Sequence, residues 1–231
     1  MIPAVDVLGT EAVRLDRGDY DRVTLRAGAP LGLVRRFSAA GARLIHLVDL
    51  DGARTGRIRS DLVRAAVSAA AGVPLQASGG VRSVADAQEL VAAGAARVVV
   101  GTAAFGDRAL PGFVDALGEH LVVALDVRDG AVAVAGWTRS TGIAVEEAAD
   151  RCAAAGVRRL LCTAVERDGT LAGPDLDLLA RVRERFGGPL LAAGGIRSTA
   201  HLAAVASAGA EGAIVGRALL DGSLPLGIIA A

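Results

Sequence analysis

Lysine is missing from this 231-residue chain, and all 25 of its basic side chains are arginine. Ala, Gly, Arg and Val are abundant, as a GC-rich genome produces, but the absence also has chemical force. Without lysine there is no Schiff-base amine, which excludes lysine-dependent aldol chemistry and covalently held pyridoxal phosphate. Cysteine is scarce. Cys152 and Cys162 form no C-x-x-C pair and both fall in apolar segments, so buried free thiols are expected rather than a disulfide or a nucleophile. Aromatic residues make up 3% of a chain that is 52% hydrophobic, which predicts a core of Val, Leu, Ile and Ala. The formal net charge is zero with the signs interspersed. That argues against non-specific nucleic-acid binding and against a membrane-surface role. No apolar run approaches the ~20 residues that span a bilayer. The start of the chain has no basic flank followed by an apolar core. A cytoplasmic protein without nucleic-acid or membrane partners is expected.

What is present is written twice. Val73-Pro74-Leu75-Gln76-Ala77-Ser78-Gly79-Gly80-Val81-Arg82-Ser83 recurs as Gly188-Pro189-Leu190-Leu191-Ala192-Ala193-Gly194-Gly195-Ile196-Arg197-Ser198. Further on, Val100-Gly101-Thr102-Ala103 recurs as Val215-Gly216-Arg217-Ala218. Gly79 to Gly194 and Gly101 to Gly216 are both 115 residues apart. A period of half the chain means two homologous halves, not a solenoid of short repeats.

Apolar β-rich runs alternate with amphipathic segments. Strands are predicted over 2–7, 44–49, 73–77, 97–100, 121–126, 158–163, 189–193 and 212–215. Helices are predicted over 31–40, 60–71, 84–93, 109–117, 145–155, 176–186 and 199–208, with a short last one near Arg217. Ser83 and Ser198 stand at N-cap positions, and Gly41, Gly94, Gly156 and Gly209 just past helix ends. Several strands are continuous apolar runs, as in a parallel sheet buried on both faces. Eight such units without a linker read as one α/β domain, a (β/α)8 TIM barrel built from two homologous half-barrels, about 1–118 and 119–231. A doubly wound open sheet fits less well, because no G-x-G-x-x-G follows the first strand.

Barrel active sites form at the C-terminal ends of the strands. Asp6 ends strand one and Asp126 strand five, so the two carboxylates should face each other across the mouth. Such a pair suits proton movement between neighbouring atoms of a sugar. Asp49 follows strand two, and Thr163 and Asp168 follow strand six. Gly79, Gly80 and Arg82 follow strand three, and Gly101 and Thr102 follow strand four. Gly194, Gly195 and Arg197 follow strand seven, and Gly216 and Arg217 follow strand eight. Glycines there let backbone N–H groups approach phosphate closely. Four such segments imply two phosphate grips, hence a bisphosphorylated small-molecule ligand. Trp137 lies in the loop after strand five, where it could be core or could stack on a planar ring. His46, His120 and His201 are expected to be structural or exposed, and no spacing of His, Asp and Glu suggests a metal site.

Several segments extend the picture over the whole chain: Ile2-Pro3-Ala4-Val5-Asp6, Val13-Arg14-Leu15, Gly18-Asp19-Tyr20-Asp21, His46-Leu47-Val48-Asp49-Leu50-Asp51-Gly52-Ala53 and Arg167-Asp168-Gly169-Thr170-Leu171. Together they resemble the ProFAR isomerase family of histidine biosynthesis. That family is a half-barrel duplication whose substrate carries a phosphate at each end. The resemblance implies an Amadori rearrangement of an aminoaldose to an aminoketose without metal or organic cofactor, in a chain expected to be a monomer. Asp6 would be the base at the sugar C2. Asp126 and Asp168 compete for the acid that opens the ribose ring, and Thr163 assists Asp126. Arg14, Asp49 and Gly169 would join the substrate-binding set.

Three departures from the family pattern stand out. Ala164 replaces an acidic residue after Thr163, Arg17 replaces a Gln before Gly18, and 26–30 lacks an acid before Pro30. They bear on affinity and loop closure more than on reaction type. Relatives that also isomerise phosphoribosylanthranilate in tryptophan synthesis place an Arg where this chain has Ala135. Ser140-Thr141-Gly142 looks like the histidine-only form. The sister cyclase of the pathway uses a loop-one lysine, which is absent. A non-catalytic phosphosugar-binding barrel is the remaining alternative.

Overall fold

A computed structural model describes residues 1–106, 108–134, 136–137 and 139–230. Eight parallel strands close into a barrel. They are strand one (Ile2–Leu8), two (Ile45–Asp49), three (Leu75–Ser78), four (Arg97–Val100), five (Leu121–Arg128), six (Leu160–Ala164), seven (Leu190–Ala193) and eight (Gly212–Val215). Each pairs with the next in chain order, and strand eight returns to strand one through Ile2↔Ile214 and Pro3↔Val215. Side chains alternate across the strands, so two cores form. Ile2, Ala4, Val99, Val122, Ala124, Leu161, Leu191 and Ile214 fill the barrel interior. The other face of the same strands, including Val5, Leu47, Val123 and Leu160, packs under the helices.

The helical ring consists of Pro30–Ala39, Ser60–Ala69, Val84–Ala92, Ala109–Leu117, Val145–Ala154, Leu176–Arg185 and Thr199–Ser207, then a short Arg217–Leu220. Ser83 caps its helix in a reciprocal capping box with Asp86, and Ser198 accepts from the His201 N–H. The expected terminating glycines all sit at positive φ. Both cysteines are free and buried. No helix among the described residues is long and apolar enough to cross a membrane.

Two features depart from the expected string. A helix at Leu50–Thr55 follows strand two directly. The stretches after strands one and five, expected as loops, fold into antiparallel hairpins. Glu11–Asp16 and Asp19–Arg26 extend strand one, and Ala131–Val134 and Arg139–Ala144 extend strand five. Strands one and five therefore run past their expected ends, to Leu8 and Arg128. The outer strands of the hairpins lie on the surface, where Asp19–Arg26 takes only exposed and half-buried positions, while Glu11–Asp16 is buried at four successive residues, so neither gives a period-2 signal.

Candidate active site

The C-terminal ends of the barrel strands open into a cavity of about 570 Å³. Asp6 stands where strand one leaves the barrel, paired with Val48 of strand two on one side and Val13 of the hairpin on the other. The next hairpin residue, Arg14, is 8% exposed. It forms an ion pair with the Asp6 carboxylate and donates from Nη2 to the Ala4 carbonyl at 2.6 Å. A Cβ on Gly216 would come within 2.2 Å of the Arg14 Cζ, so strand eight needs a glycine where the guanidinium lies.

Asp126 is paired across the sheet with Thr163. Burial pushes its carboxyl above the usual range, opposed by hydrogen bonds from the Trp137 and Thr163 side chains. Asp168, on the turn after strand six, is pushed up to about 6, chiefly by burial and next by the charge of Asp6. Arg14 opposes that shift, and Asp126 adds to it. Three carboxyl groups thus face one cavity in different electrostatic settings.

The glycine segments frame this centre. A Cβ on Gly79 would lie 2.1 Å from the Asp49 carbonyl oxygen, and one on Gly194 would lie 2.7 Å from that of Ala164. Both turns also have positive φ, 104° and 102°, so glycine is required for space and for backbone alike. Arg82 lines the cavity with its guanidinium against Gly56, while Arg217 donates from Nη1 to the Gly169 carbonyl at 2.5 Å. Thr102, Gly80, Gly101 and Gly195 line the same space. Arg197 is exposed and does not.

The hairpin after strand one leans over the mouth. The Tyr20 hydroxyl donates to the Leu50 carbonyl at 2.8 Å, with Arg54 5.3 Å above its ring. Gly18 lies against the Trp137 indole, close enough that a Cβ would approach Cε3 to 2.5 Å. Trp137 is therefore not core. It lines the cavity, touches the opposite loop and bonds Asp126.

Besides Arg197, Asp49 alone of the expected site residues does not line the cavity. Asp6 and Val48 are paired and point inward, so Asp49, one residue on, points outward. Its carboxylate is 4% exposed, caps Leu50–Thr55 through the Gly52 N–H and accepts from Arg59 Nε at 2.9 Å. The expectation that it touches substrate is corrected to a structural one. Ala164 is likewise 6% exposed and off the cavity. Its lost acid would not have reached the ligand space. Arg17 sits at φ 49° in the hairpin turn beside Asp16, and helix Pro30–Ala39 starts from Ala29 with no side-chain cap. Ala135 lies outside the described residues.

Three polar side chains of the cavity were not picked out as site residues: His46, Tyr20 and Ser78. Inward alternation from Asp6 through its partner Val48 would have found His46. No group of His, Cys, Asp and Glu among the described residues could hold a metal.

The model of the histidine biosynthesis protein family matches residues 1–225. The chain belongs to this family. Its relatives include proteins of Sorangium cellulosum, Deinococcus radiodurans and Roseiflexus sp., at 46%, 44% and 43% identity. The matches cover 97–98% of this chain and 95–96% of those proteins. All three are named 1-(5-phosphoribosyl)-5-((5-phosphoribosylamino)methylideneamino)imidazole-4-carboxamide isomerase.

Proposed function

We propose that the chain is the aminoaldose–ketose isomerase of histidine biosynthesis, converting ProFAR to its phosphoribulosyl isomer. The observation that carries this reading is three carboxyl groups, Asp6, Asp126 and Asp168, facing one cavity between two glycine-lined grips. The grips would hold the terminal phosphates, strands three and four one of them and strands seven and eight the other. Binding both ends fixes the ribose between them.

Asp168 donates a proton to the ribose ring oxygen, the C1–O bond breaks and the aminal nitrogen becomes an imine. Asp6 then takes the proton from C2. The electron pair forms the C1–C2 double bond and the imine electrons move onto nitrogen. The enol loses its hydroxyl proton and C1 gains one, giving the ketone and a C1 methylene. A carboxyl raised to about 6 keeps a proton to donate near neutrality, which suits Asp168 as the donor. Trp137 and Thr163 fix Asp126, which supports an orienting role for it beside the ring.

A doubly phosphorylated substrate does not cross membranes, which fits a cytoplasmic enzyme. The 115-residue repeat supports half-barrels of about 1–118 and 119–231.

The test is steady-state turnover of the purified chain on ProFAR and, separately, on phosphoribosylanthranilate. Turnover of ProFAR alone is expected. Turnover of neither, with a bisphosphate still bound, would sink the isomerase reading in favour of a binding barrel.

A further inference from the structure

One polar pair inside the barrel has no part in the mechanism above. His46 and Gln76 are paired across strands two and three, and His46 lies beside Ala4, one inward layer below Asp6. Gln76 is fully enclosed, and His46, 5% exposed, reaches the cavity. Gln76 Nε2 lies 3.1 Å from His46 Nδ1. With the amide in this orientation its nitrogen donates and Nδ1 accepts, which assigns the proton of a neutral ring to Nε2.

Burial, and next the charge of Arg14, pushes His46 down to about 4, against a smaller opposing pull from the Gln76 backbone. The ring is therefore neutral at working pH and adds no second cation beside Arg14. Methionine would fill the place of Gln76 without a polar atom. The Gln76 Oε1 has no hydrogen-bond partner among the described residues, so the amide is retained at a cost in stability. The bond to Nδ1 is what the amide supplies in return.

We infer that Gln76 is a positioning residue that holds His46 as the Nε2–H tautomer, a hydrogen-bond donor to an oxygen of the reacting sugar beside Asp6. This rests on the isomerase reading. A neutral donor below Asp6 orients the sugar oxygens without taking the C2 proton, so it complements the base. Second-layer partners that select a histidine tautomer act in this way elsewhere.

The test is a long-range proton–nitrogen spectrum of the ¹⁵N-histidine-labelled, ligand-free wild type, with His46 assigned by its loss in His46→Asn. The Nε2–H pattern is expected, and an Nδ1–H pattern overturns the inference. An ionised Gln76→Glu presents only acceptors to Nδ1, and is expected to switch the ring to Nδ1–H. It should lower kcat roughly tenfold or more, with KM within about threefold of wild type. A switched ring with wild-type kcat overturns the inference as well. Should Gln76→Glu not fold, Gln76→Met serves in its place, with a lost tautomer preference and the same fall in kcat expected. The ring is read without substrate, so the two failures separate. An inactive wild type removes the isomerase reading, whereas an active one with the wrong tautomer removes only the role of Gln76.

Discussion

Asp6 and Asp126 occupy matching ends of strands one and five, and each strand runs on into an antiparallel hairpin. Their partners differ. Asp6 is met by the guanidinium of Arg14 from its own hairpin, whereas Asp126 is met by the indole of Trp137 and the hydroxyl of Thr163. The same divergence appears one strand on. Asp49 is buried against Arg59, while 115 residues later the matching position is Ala164 and Pro174 stands where Arg59 would be. Both turns keep glycines pressed on the neighbouring carbonyls. The glycine backbone of the two turns is thus repeated, and the side chains that set charge are not. A symmetric scaffold with asymmetric electrostatics lets one carboxyl act as base and another as acid.

The largest effect expected from breaking this asymmetry is at Asp6. Asp6→Asn should lower kcat by roughly 10³-fold, within the usual range for a lost general base, while ligand binding persists. Single-turnover kinetics with a binding titration checks both. Asp168→Asn should cost at least ~10²-fold. In the wild type, kcat/KM should fall as pH rises through about 6 and the acid is lost, and this limb should vanish in the variant's residual activity. The sign for stability is opposite to that of a salt-bridged carboxylate. The folded-state value lies above the ordinary one of 3.8, so wild-type stability declines between pH 4 and about 6. Asp168→Asn should therefore melt higher than wild type at pH 7.5 and show no gain at pH 4.

The structural half of the comparison is tested at strand two. Asp49→Ala leaves Arg59 without its buried partner and should destabilise by about 3 kcal/mol in urea unfolding. Ala164→Asp buries a carboxylate where no arginine answers, so it should also destabilise rather than restore a family feature. A gain in either stability or turnover from Ala164→Asp would break the comparison. Gly216→Ala forces Arg14 off strand eight and should cost about 1–3 kcal/mol. Trp137→Phe keeps the ring beside Gly18 but removes the donor to Asp126. It is the smallest change, with kcat expected to drop roughly tenfold.

Much of this was legible along the chain. The repeat, the order of eight strands and seven helices, Ser83 and Ser198 as caps and the terminating glycines all follow from local pattern. They hold because hydrophobic period and capping act over a few residues. All the expected site residues but the exposed Arg197 and the buried Asp49 line the cavity, because strand ends in a parallel barrel share one face. The buried exception is instructive. Asp49 ends its strand as Asp6 does, but one residue out of phase with the inward face. Phase is readable only once strand one is registered against strand two.

The sequence by itself determined the barrel, its internal repeat and the ring of aspartates and glycines at one end, since each rests on short-range pattern. Tertiary structure decided which partner each group meets. The indole of Trp137 reaches Asp126 and leans on Gly18, Arg14 lies on Gly216 and pairs with Asp6, and Gln76 reaches His46 across two strands. Those of Trp137 with Gly18, Arg14 with Gly216 and Gln76 with His46 join residues far apart in the chain. Their energies depend on register, burial and the low dielectric of a closed mouth, none of which exists until the barrel has closed.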